Sequence, residues 1–198
     1  MAALALHVSF KRLALLLVAA ALCAVSVSSR AAEAKVTLIE PLLGQGQLNL
    51  DVDFKLELNR VMTDALERGV PLYFTTDLEI VQPRWWWLDR TLVETSLTRR
   101  LTYNTLTQQW RLATGDLAIT LGSFEEGMSL LRQLRDWPIA PLDRFDRGVR
   151  YEGKVRIRLD QSQLARPLQV DALNRGAWSL TSPWASFDFS IRDAEATQ

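Results

Sequence analysis

The chain has 198 residues, with 23 basic and 23 acidic side chains, one histidine and one cysteine. His7 and Cys23 both lie in the first 30 residues, so the remainder has no soft metal site of thiolate and imidazole, no Cys/His or Ser/His/Asp nucleophile and no disulfide. Taking Lys11, Arg12, Arg30 and Glu33 from the two totals leaves 20 basic against 22 acidic side chains, a net charge of −2, which argues against nucleic acid as a partner.

Lys11 and Arg12, the uncharged run LALLLVAAALCAVSVSS and the small residues of AAEA have the three-part layout of a secretory leader. The preferred cut follows Ala34, with Ala32 and Ala34 at the small-residue positions, and a cut after Ala31 also fits. This divides the chain into a leader, 1–34, and a single β-rich domain, 35–198, long enough for a sizeable core. The alternative is an uncleaved inner-membrane anchor, since the apolar run is only slightly shorter than the ~20-residue span of a bilayer. Leu22 precedes Cys23 where lipid attachment needs a small residue, so lipidation is not expected.

A strand is predicted over 36–40. From Gln47 to Leu58 apolar and polar residues alternate strictly, which predicts a strand with Leu48, Leu50, Val52, Phe54, Leu56 and Leu58 on its buried face. A short helix over 61–68 is closed by Gly69. Strands follow at 70–82, 92–103, 109–113 and 116–121, and Ser123 with Glu126 opens a helix over 124–135 as a capping box. Residues 149–160 repeat the alternation, and a last strand over 178–191 is interrupted at Pro183. One-sided strands belong to antiparallel sheets, so the fold class is mainly β with an α+β tendency: an antiparallel β-sandwich, or a strongly curved sheet, with two short helices.

Few segments look chemical. GQGQLN at 44–49 lacks the third glycine of a dinucleotide turn and is followed by a strand, so it reads as a tight turn. No lysine stands in a phosphate-loop context. Asp51 and Asp53 share one face of their strand, but that face is its polar one, so solvent exposure is the reading. In DRFDRG at 143–148, Arg144 and Arg147 would repel any cation near Asp143 and Asp146, which makes it a charged turn. No cofactor is expected. Arg99 is the candidate buried charge, because it shares a face with Val93, Leu97, Leu101 and Tyr103. A buried guanidinium there needs a carboxylate or carbonyl partner; the alternative lays its stem along the sheet edge with the head in water.

PRWWWLDR at 83–90 sets three tryptophans in a row. In extended chain, neighbouring side chains point to opposite faces, so Trp85, Trp86 and Trp87 cannot all enter one core. With Arg84 they form the candidate partner surface; the alternative has the rings plugging the open end of the sheet against Trp110, Trp137, Trp178 or Trp184.

ERGVPLYF at 67–74, PRWWWLD at 83–89, LTYNTLTQQWRL at 101–112 and LQVDALNRGAWSLTSPW at 168–184 together resemble a proteobacterial family of uncharacterised exported proteins, a domain of unknown function. The resemblance implies a periplasmic setting and, from the usual gene neighbourhood, a companion of a membrane sensor kinase resembling nitrogen-regulation kinases; it supplies no catalytic residues. The expected role is a non-enzymatic periplasmic module that binds an envelope or membrane protein. The alternatives are a carrier of an apolar or lipid-like ligand and, third, a carboxylate-based hydrolase.

Overall fold

The computed structural model describes residues 32–83, 90–164, 168 and 176–191, all within the compact unit Ala31–Gln198. Among the described residues, nine strands and two α-helices run in the order β1 (Glu33–Gly44), β2 (Gln47–Glu57), α1 (Arg60–Glu67), β3 (Leu72–Gln82), β4 (Arg90–Asn104), β5 (Gln109–Thr114), β6 (Leu117–Leu121), α2 (Phe124–Leu131), β7 (Gln133–Pro141), β8 (Arg150–Leu159) and β9 (Ala185–Ser190). They form a three-stranded sheet, β1-β2-β7, and a six-stranded sheet, β6-β5-β4-β3-β8-β9. All strand pairs are antiparallel.

The alternation of β2 becomes burial: Leu48, Leu50, Val52 and Leu56 are wholly inaccessible. They share one apolar core with Leu72, Phe74, Leu78 and Ile80 of β3 and Tyr151, Val155 and Ile157 of β8, so the inner faces of both sheets meet in a sandwich. The turn between β1 and β2 is Gln45-Gly46, with φ of 51° and 77°, the two positive values a two-residue hairpin favours. The tight turn read in GQGQLN is this hairpin.

Two elements differ from the sequence reading. The helix expected over 124–135 stops at Leu131, and Gln133–Pro141 is a strand on the edge of the small sheet. Its buried residues Leu134, Trp137 and Ala140 fall three apart, because register shifts interrupt its pairing with β2 and Asp136 takes a φ of 50°. A bulged strand thereby imitates the period of a helix. The strand expected over 178–191 is confined to Ala185–Ser190, preceded by a single bridge from Thr181 to Arg158. The N-terminus of α2 is as expected, with Ser123 Oγ accepting from Glu126 N at 3.1 Å, although Glu126 Oε2 reaches back to Gly122 N rather than to Ser123.

Candidate functional site

The leader, 1–34, lies almost wholly outside the described residues, and so do Arg84, Trp85, Trp86 and Trp87. The rings proposed as their packing partners are placed: Trp110, Trp137 and Trp178 are buried, whereas Trp184 is 42% exposed.

Arg99 lies on the inner face of β4 and is 5% exposed. Its guanidinium donates to three carbonyls, Leu130 O at 2.9 Å, Leu131 O at 2.6 Å and Gln133 O at 2.7 Å. No carboxylate takes part in these bonds. The acceptors are the last turn of α2 and the start of β7, where a helix leaves carbonyls unpaired and its dipole favours a cation. Burial pushes the guanidinium down to about 10, which still leaves it charged at neutral pH. Arg99 therefore pins α2 to the sheet.

Asp51 and Asp53 correct the expectation of a plain solvent-facing surface. Asp51 accepts from the backbone N–H of Asp136 at 2.7 Å, and Arg135 lies against both carboxylates while donating to Val52 O. The pair fastens bulged β7 to β2. The charged turn at 143–148 is seen as such, a short 3-10 turn at Leu142–Arg144 followed by Asp146, whose N–H donates to the Tyr151 hydroxyl at 2.8 Å.

The outer face of the large sheet carries two charged regions. On β3 and β8, Asp77 Oδ2 accepts from Arg156 Nε at 2.9 Å and Arg158 Nε at 3.0 Å, and the Arg156 guanidinium stacks 4.4 Å from the centre of the Trp184 ring. At the other end a groove of about 510 Å³ is lined by Arg68, Arg100, Thr102, Arg111, Ala113 and Ala118, among others. Register explains it. Arg100 of β4 pairs with Ala113 of β5, which pairs with Ala118 of β6, and Thr102 pairs with Arg111, so two alanines floor a trough between long cations. Arg68 arrives from the end of α1, where Gly69, at φ 85°, turns the chain so closely over β4 that an added Cβ would stand 3.4 Å from Tyr103 O. Among the described residues none of these three arginines has an acidic partner within ion-pair distance.

The trough opens on β6, the edge strand. Its sequence LAITL carries no charge, Leu117 is 80% and Ile119 49% exposed, and among the described residues nothing pairs with its outward side. Sequence reasoning missed this site because Arg100 and Arg111 look like ordinary outward polar positions. The hairpin register set by Asn104 and Gln109 would have put them beside one another with no acid opposite.

A two-sheet antiparallel sandwich whose large sheet ends in an open strand beside a cationic trough defines a β-rich domain. The chain belongs to the family described as Domain of unknown function (DUF4390), whose family model matches residues 31–188. No curated protein matches the chain, and no solved structure matches it. Among the described residues no helix is long and apolar enough to cross a membrane.

Proposed function

We propose that this chain is a non-enzymatic interaction module of the cell envelope that binds a protein partner by strand addition. The observation that carries the reading is the uncovered, uncharged edge of β6 with Leu117 and Ile119 exposed. Soluble domains blunt such edges with charge, proline or a covering segment, because an open row of N–H and C=O groups recruits further strands. A membrane-bound sensor kinase is the partner that the family resemblance suggests.

A photo-crosslinking residue at Ile119 in living cells should give one discrete adduct with an envelope protein, identified by mass spectrometry. Ala118→Pro should abolish it: in a two-residue hairpin, residue 118 is a non-hydrogen-bonded pair with 113, so its N–H points outward and proline leaves the bonds to β5 intact. Persistence of the adduct in that variant, or no adduct at all, would refute strand addition.

Export belongs to the same reading and adds a second test. β1 begins at Glu33, whose carboxylate meets Lys55 Nζ at 2.9 Å, and Ala34 is buried. A cut after Ala31 leaves that strand whole, whereas a cut after Ala34 removes both contacts. Protein recovered from the periplasm should therefore begin at Ala32; an intact mass that includes residues 1–30 would establish the anchored form.

A further inference from the structure

We infer that the partner segment received by β6 is an extended strand alternating apolar and acidic residues, with its carboxylates seated in the trough of Arg68, Arg100 and Arg111. This rests on the strand-addition reading above and gives it a chemistry. Along β6 the side chains alternate between two environments. Leu117 and Ile119 stand on the side of the sheet that carries the core, exposed at its margin, while Ala118 and Thr120 stand on the trough side, in register with Ala113 and Arg111. A strand laid beside β6 repeats that alternation, so every second residue meets apolar surface and the others face the alanine floor. Ala118 and Ala113 leave the way across the sheet open, so a carboxylate on the added strand can be met by the long, forked side chains of Arg111 and Arg100.

Charge decides between occupants. The hairpin from Gln109 to Leu121 contains one acidic residue, Asp116 in its turn, and the trough contains none. A second copy pairing through β6 would bring two sets of unpaired arginines to the same face, which like-charge repulsion opposes. An anionic lipid headgroup could meet the arginines, but it would leave the outward N–H and C=O groups of β6 without strand partners.

The test uses the purified protein, a short synthetic peptide alternating valine and glutamate, its valine and lysine counterpart, and vesicles containing phosphatidylglycerol. The glutamate peptide should shift the amide resonances of residues 117–121 and bind at least about tenfold more tightly than the lysine peptide, as two exposed arginine-carboxylate contacts of usual strength allow. Arg100→Glu with Arg111→Glu should reverse that preference, and Arg100→Gln with Arg111→Gln should erase it. Equal shifts by both peptides would overturn the acidic specificity and leave strand addition standing. No shift at 117–121 with either peptide would overturn both. Vesicle binding that depends on the arginines without any peptide discrimination would replace the partner segment by a lipid surface, and self-association blocked by Ala118→Pro would replace it by a second copy.

Discussion

The two ends of one outer sheet face use arginine in opposite ways. On β3, β4 and β8, Asp77, Glu79 and Glu94 lie among Lys154, Arg156 and Arg158, with Asp77 gripping two guanidinium groups and Trp184 covering one. On β4, β5 and β6, Arg100 and Arg111 stand beside alanine and threonine with no acid. The difference separates cations consumed by the fold from cations that have no acidic partner among the described residues. Arg99 marks the extreme of the first kind, one residue from Arg100 and on the opposite face of the same strand.

The largest effect should come from that extreme. Arg99→Met removes the donor to three carbonyls in a buried place and should cost about 3 to 5 kcal/mol, read by chemical denaturation. Arg99→Lys should recover only part, since an ammonium cannot fork to three acceptors in this arrangement. The pH dependence has a definite sign. Because burial lowers the folded value to about 10, the unfolded chain binds more protons between there and the ordinary arginine value. The burial cost is therefore present in full at neutral pH and is relieved only as pH rises through that alkaline window. Between pH 6 and 9 the difference between wild type and Arg99→Met should stay flat.

Next comes the paired region. Asp77→Ala leaves Arg156 and Arg158 without their shared acceptor and should cost about 1 to 3 kcal/mol, because the carboxylate is largely enclosed. Moderate salt should reduce that difference by screening. The smallest effect belongs to the trough: Arg100→Gln or Arg111→Gln should change stability by no more than about 0.5 kcal/mol, with the double variant neutral or slightly stabilised as like charges separate. If the trough variants lost as much stability as Asp77→Ala, those arginines would belong to the fold and the comparison would collapse.

Period-two strands were legible in the sequence because a single buried face writes itself into alternation, as in β2 and β8. β7 was not, since its bulges put Leu134, Trp137 and Ala140 at helical spacing and lengthened α2 on paper. Arg99 stood out as an apolar-face anomaly, yet its acceptors are backbone carbonyls more than thirty residues away, which no residue pattern announces. The trough was hidden for another reason. It consists of a missing class of residue next to a strand edge, and both facts emerge only when β4, β5 and β6 are set in register.

The bare margin at β6 also makes production of this protein a question of stoichiometry. Five uncharged residues with two exposed aliphatic side chains would be covered by the proposed partner, and become adhesive when copies outnumber it. Overproduced alone, the chain should accumulate soluble aggregates that Ile119→Lys prevents, so the dose of this protein is constrained by the same strand that is proposed to receive its partner.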